Sequence, residues 1–194
     1  MRWVHTAIPG VLIVAPPVFR DERGWFSESW NEQRFITGLA SLGQRAPSRF
    51  VQDNHSCSRA GVLRGLHYQL PPHAQGKLVR VVRGAAFDGA VDIRRGSPTF
   101  GRWAGALLSA DNQRQLWIPE GFAHGFLALE DETHFLYKTT DVYAKACERS
   151  LLWNDPAIGI HWPVVDLKTA PVIAAKDAAA PMLAAADLPA YEVT

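Results

Sequence analysis

The chain has 194 residues, 47% apolar and 20% charged, and its 20 Lys and Arg against 19 Asp and Glu leave a formal net charge of +1. At this length one core buries roughly 70% of the unfolded surface, and the composition argues against disordered, fibrous and low-complexity classes. Basic residues interspersed with as many acids form no face for a phosphate backbone, which argues against nucleic-acid binding, so any phosphate must be met by a few aimed cations. The two cysteines, Cys57 and Cys147, lack Cys-x-x-Cys or Cys/His spacing and are expected to be free thiols. The first residues carry no secretory pattern and no run reaches the ~18 apolar residues of a spanning helix, so a cytoplasmic protein without membrane association is expected.

Residues 1–30, with Pro9, Gly10, Pro16 and Pro17 flanking Val11 to Val14, predict an edge strand and an extended arm of the kind that pairs with another subunit. Phe35, Ile36, Leu39 and Leu42 then recur at helical spacing after a capping Asn31, and Gly43 ends the run. From Val62 to Thr140 the chain becomes a series of short alternating segments broken by Gly, Pro and Asn, which is strand patterning. Lys77 to Val82 stops at Arg83-Gly84, and Ala86 to Arg94 alternates Phe87, Val91 and Ile93 with Asp88, Asp92 and Arg94, which implies two unlike faces. Trp103 to Ser109, Gln115 to Ile118, Gly125 to Leu129 and His134 to Thr140 follow at the spacing of an antiparallel sandwich or barrel. The Ala-rich tail from Ala174 to Ala186, broken by Pro181, has room for a second short helix. The expectation is one all-β domain over residues 1–194, with residues 165–194 packing on the barrel.

Of the histidines, His5, His73, His134 and His161 lie in polar or terminal contexts and are read as surface or packing residues. His67 differs, because it follows Arg64 by three residues on an apolar strand beside a Gly that permits close approach. His124 sits in Gly121-Phe122-Ala123-His124-Gly125-Phe126, a shaped turn feeding a strand.

The strings Phe19-x-Asp21-Glu22-Arg23-Gly24-x-Phe26-x-Glu28, Gln52-Asp53-Asn54-His55-Ser56, Gly61-Val62-Leu63-Arg64-Gly65-Leu66-His67, Gly76-Lys77-Leu78-Val79-Arg80, Val91-Asp92-Ile93-Arg94, Ser97-Pro98-Thr99-Phe100-Gly101, Ile118-Pro119-Glu120-Gly121-Phe122-Ala123-His124, Tyr137-Lys138 and Trp153-Asn154-Asp155-Pro156 follow one another in order. Together they resemble the dTDP-4-dehydrorhamnose 3,5-epimerase family, from Ile8 to about Pro181. The resemblance implies a cupin-type jelly-roll that binds no metal or cofactor, and a homodimer whose N-terminal arm is exchanged. It also implies an isomerase acting on a deoxythymidine-diphosphate 4-keto-6-deoxyhexose. By motif it makes His67 the general base, Asp177 its orienting carboxylate, Tyr137 the general acid and Lys77 the group beside the ketone. Substrate contacts fall to Arg23, Phe26, Glu28, Gln52, Asn54, Arg64, Lys77, His124, Glu148 and Lys176, with Arg23 and Glu28 reaching into the neighbouring subunit. Asp88 remains the alternative partner for His67. Tyr68 stands where the family more often has Phe.

Metal-binding cupins gather two His two residues apart, a nearby Glu and a later His, because a transition metal needs several N or O donors converging on one point. Here Gln69 follows His67 at that spacing, no His-x-His occurs, and metal catalysis is disfavoured. Epimerisation next to a ketone needs a base, a stabiliser for the enolate oxygen and an acid on the opposite face, and no redox cofactor. A single-site epimerase or ketoisomerase on the same scaffold, and a sugar-binding cupin without catalysis, are the competing readings.

Overall fold

The computed structural model describes residues 1–47, 49–164 and 170–191. Its elements in chain order are β1 (Arg2–His5), β2 (Leu12–Ala15), β3 (Val18–Asp21), β4 (Gly24–Ser27), α1 (Glu32–Ser41), β5 (Gln52–Ser58), β6 (Val62–Gln69), β7 (Lys77–Arg83), β8 (Ala85–Asp92), β9 (Trp103–Ser109), β10 (Gln115–Ile118), β11 (Phe122–Ala128), β12 (Thr133–Thr139), β13 (Glu148–Ser150), β14 (Val172–Ile173) and α2 (Ala175–Ala178). Two sheets face each other in a jelly-roll: one runs β1-β2-β10-β7-β12-β5, the other β13-β6-β11-β8-β9 with β14 beside β6. The fold is the expected all-β class. No described helix is long and apolar enough to cross a membrane.

Between the sheets lies a core of Val79, Val81, Leu116, Ile118 and Phe135 from one side and Ala86, Ala90, Leu108, Phe122 and Phe126 from the other. Phe126 and Phe135 stack across it with centroids 4.0 Å apart. A second apolar layer covers the outer face of the β6-β11-β8 sheet, where Leu63, Val91, Ile93 and Leu127 meet Leu151, Ile158, Trp162 and Leu183 from the C-terminal part of the chain. The described part of the 165–194 tail therefore packs on the barrel; residues 165–169 and 192–194 lie outside the described residues.

This second layer gives the alternation of β8 an unexpected sense. Phe87 and Val91 point outward under the C-terminal layer, while Asp88, on the opposite face, points into the barrel and is fully buried. Asp92 is also fully buried, accepting hydrogen bonds from Arg94, Ser97 and Thr99. The polar face of this strand thus points to no solvent.

α1 is capped as its sequence requires. Asn31 Oδ1 accepts from the Arg34 amide at 3.0 Å. Gly43, at φ +67°, lets the Gln44 and Gly43 amides bond back to the Leu39 and Ala40 carbonyls. Residues 1–30 depart from a simple edge strand and arm. The edge is β1, while β2 is interior to the sheet, paired with both β1 and β10. Only the β3–β4 hairpin stands apart as its own two-stranded sheet, with Phe19, Trp25 and Phe26 each more than half exposed. The strand expected to start at Gly125 begins at Phe122, and the Ala-rich tail forms α2 and a single turn at Leu183–Ala185.

Candidate active site

In an unbroken strand, residues three apart point to opposite faces. Arg64 and His67 nevertheless line one cavity. The register explains it: His67 lies opposite His124 and Arg64 opposite Phe126, so Gly65 and Leu66 together face the single residue Gly125. That β-bulge turns both side chains the same way. Glycine is required on both sides of it. A Cβ on Gly65 would stand 2.6 Å from the Gly125 Cα, and one on Gly125 would stand 2.8 Å from the Arg64 carbonyl oxygen.

The same bulge receives the C-terminal segment. β14 runs parallel to β6, pairing Val172 with Val62 and Ile173 with Leu63, and so delivers α2 to the bulge. Asp177, 2% exposed, places Oδ1 at 2.7 Å from His67 Nε2 and accepts the Gly65 amide on Oδ2 at 3.2 Å. Burial pushes the Asp177 carboxyl up, but the hydrogen bond from His67, its charge, the Gly65 amide and Lys176 outweigh it and hold the group below its ordinary value. An ionised carboxylate only accepts. Nε2 of the neutral His67 ring therefore carries the proton, and Nδ1 keeps its lone pair free. Asp88, the alternative partner, bonds His124 Nε2 at 2.9 Å instead.

The cavity measures about 570 Å³ and opens between the two sheets. Tyr137 on β12 and Lys77 on β7 line it from the sheet opposite His67. Tyr137 is pushed up, chiefly by burial, with Arg64 opposing and Glu148 adding to the rise. A phenol so placed holds its proton at neutral pH. Lys77, 8% exposed, donates to the His67 carbonyl at 3.3 Å. Burial lowers its ammonium to about 8, against the pull of Asp88 and Glu148. His124 is lowered by burial despite Asp88, so it is a neutral donor or acceptor on the cavity wall.

At the mouth, Glu148 accepts from Lys176 at 3.1 Å and from the Tyr143 hydroxyl at 3.0 Å. Gln52 and Asn54 bond each other at 2.9 Å, and Arg64 Nε donates to Ser58 at 3.2 Å. The structure thus brings His67, Lys77, Tyr137, Asp177, Gln52, Asn54, Arg64, His124, Glu148 and Lys176 to one cavity. It does not bring Arg23, Phe26 or Glu28 there. Arg23 and Phe26 stand on the β3–β4 hairpin, with Arg23 paired to Asp21, and Glu28 just beyond it pairs with Arg34.

Two participants have no contact assigned from sequence, Gln69 and Tyr143, the latter standing only as the next candidate acid after Tyr137. Buried Gln69 donates to the His73 and Val142 carbonyls and accepts the Ala144 amide at 2.7 Å, clamping the loop that carries Tyr143. Its place, where a metal cupin has its second His, was the available signal. Tyr143 reaches Glu148 only through that loop, which no strand periodicity marks. Among the described residues no three His, Cys, Asp or Glu side chains converge to hold a metal, and both cysteines are free.

The sequence profile of the family described as dTDP-4-dehydrorhamnose 3,5-epimerase matches residues 5–185. The dTDP-4-dehydrorhamnose 3,5-epimerase of Salmonella typhimurium is 58% identical over 180 residues, covering 93% of this chain and 94% of that protein. The enzyme of the same name from Pseudomonas aeruginosa is 52% identical over 187 residues, covering 96% of this chain and 98% of that one. The dTDP-6-deoxy-D-glucose-3,5-epimerase of Legionella pneumophila, solved in complex with dTDP-4-keto-L-rhamnose, superposes with a TM-score of 0.91 at 47% identity, covering 99% of each chain.

Proposed function

The chain belongs to the dTDP-4-dehydrorhamnose 3,5-epimerase family, and we propose that it inverts the two ring carbons flanking the ketone of dTDP-4-dehydro-6-deoxy-D-glucose, giving dTDP-4-dehydro-L-rhamnose. The observation that carries the chemistry is the His67–Asp177 pair, 2.7 Å apart, beside a cavity whose opposite wall presents Tyr137 and Lys77.

His67 Nδ1 takes the proton from the carbon beside the ketone, and Asp177 balances the imidazolium that forms. The Lys77 ammonium faces the oxygen on which enolate charge collects, a placement typically worth a few kcal/mol in a water-poor site. Tyr137 delivers its proton from the other sheet, and so to the other face of the ring, which inverts the centre. Once His67 has passed its proton to solvent and Tyr137 has regained one, the cycle repeats at the second carbon with no new group, since both carbons share one ketone. Arg64, Lys176, Gln52 and Asn54 are the diphosphate and nucleoside contacts at the cavity mouth.

The protein works as a homodimer in which each β3–β4 hairpin crosses to the partner's cavity mouth, carrying Arg23 and Phe26 with Glu28 just behind. Three apolar side chains left exposed on that hairpin support this reading. The deciding experiment incubates the protein with the 4-keto-6-deoxyglucose nucleotide in heavy water and counts deuterium at ring carbons 3 and 5 by NMR. Incorporation with inversion at both carbons is expected. Incorporation at one would make it a single-site epimerase, and at neither a binding protein.

A further inference from the structure

Asp88 is a buried carboxylate that the chemistry above does not use. It is fully buried on the inner face of β8, its Oδ2 accepts from His124 at 2.9 Å, and its Oδ1 has no hydrogen-bond partner. An uncompensated buried carboxylate oxygen costs several kcal/mol and needs a reason. The nearest reason is another buried charge. Lys77 enters the same barrel from the opposite sheet, and among the described residues no carboxylate lies within 4.0 Å of its ammonium. The titratable groups that share its cavity include His67 on β6, His124 on β11, Tyr137 on β12, Glu148 on β13 and Asp177 on α2, and Asp88 on β8 stands behind His124. Glu148 already answers Lys176 and Tyr143. His124 is kept neutral by burial, and Tyr137 holds its proton. Asp177 already answers His67 and the Gly65 amide, which leaves Asp88 as the remaining anion.

We propose that Asp88 is a positioning residue whose carboxylate, anchored on His124, is the counter-charge that keeps the Lys77 ammonium protonated inside the barrel. Its bearing on catalysis rests on the reading of Lys77 as the group beside the ketone. Burial raises Asp88 above its ordinary value, with His124 and Lys77 opposing the rise only in part, and Asp88 in turn raises Lys77 against its own burial. Taking the carboxylate's charge away leaves desolvation opposed by Glu148 alone, and the ionisation of Lys77 falls from about 8 by roughly one pH unit.

The test is Asp88→Asn, which keeps the acceptor for His124 and removes the charge, with Asp88→Ser as a smaller second variant should the first not fold. Two readouts are taken on the full chain. Competitive labelling of Lys77 by isotopic acetic anhydride across pH gives the lysine's midpoint without reference to activity. The expected midpoint is about one pH unit below that of the parent, and an unchanged midpoint overturns the proposal. The ratio of variant to parent kcat/KM is expected to fall about tenfold between pH 6 and pH 9, because a midpoint lower by one pH unit leaves about a tenth as much ammonium above it. A loss independent of pH, with an unchanged midpoint, would mean that Asp88 only packs. A lowered midpoint with a flat ratio keeps the counter-charge and refutes the placement of Lys77 at the ketone.

Discussion

Replacing Asp177 by Asn tests the geometry of the bulge more severely than removing the side chain would. Asp177 accepts from two donors at once, the Gly65 amide at 3.2 Å and His67 Nε2 at 2.7 Å. An Asn has only one oxygen. If that oxygen stays on the Gly65 amide, the NH2 group faces His67 and forces Nε2 to accept, so the proton moves to Nδ1 and the base loses its lone pair. The opposite rotamer restores the tautomer but sets a donor against the buried Gly65 donor, at a cost of about 1–3 kcal/mol. At that cost only about 1–10% of molecules hold a competent ring. These also lose a charge-assisted bond to the imidazolium, worth about 1.5–3 kcal/mol, or a further factor of about 10–100. The combined expectation is a loss of about 10²–10⁴ in kcat, with KM changed little because neither effect touches the bound nucleotide. Proton NMR in heavy water reads epimerisation and deuterium uptake together, and both should fall in step. An Asp177→Asn enzyme within tenfold of the parent would refute either the tautomer argument or His67 as the base.

Tyr137→Phe keeps the packed ring but removes the phenolic proton, so inversion should drop by about 10²–10⁴-fold while deuterium exchange persists at carbon 5, because an imidazolium can return deuterium to the original face. Epimerisation near the parent rate would leave Tyr137 a core aromatic and move attention to Tyr143. The Lys77 ammonium, lowered to about 8, is charged below that pH and neutral above it, so kcat/KM should decline as pH rises through about 8. Lys77→Arg should push this limb beyond the measurable range, and a parent profile flat to pH 10 would exclude Lys77. The double change Phe19→Ala and Phe26→Ala leaves the strands of the barrel intact, so sedimentation should show a weaker dimer and titration with dTDP a weaker affinity. Deleting residues 1–30 would be a poorer test, since β1 and β2 belong to a barrel sheet. A double variant that still dimerises and binds normally would contradict the crossing hairpin.

Local patterning carried a good part of this structure. The strands Trp103–Ser109 and Gln115–Ile118 stand at the bounds their alternation predicts, and α1 lies between its Asn31 cap and Gly43, because strand propensity, capping and turn chemistry act over a few residues. The family resemblance likewise named most of the polar residues that line the cavity, though not Gln69, and it added Arg23, Phe26 and Glu28, which lie away from it. What neither could supply was contact between distant segments. Which aspartate meets His67 was open between Asp88 and Asp177, and the answer lies across 110 residues of chain, decided by β14 pairing parallel to β6 and setting α2 on the bulge. That Arg64 and His67 share a face depends on two glycines from different strands meeting at the bulge. The inward turn of Asp88 depends on a C-terminal layer that covers what would otherwise be the solvent face of β8. Periodicity reports that a strand has two unlike faces, whereas which face meets water is decided only when the rest of the chain packs against one of them.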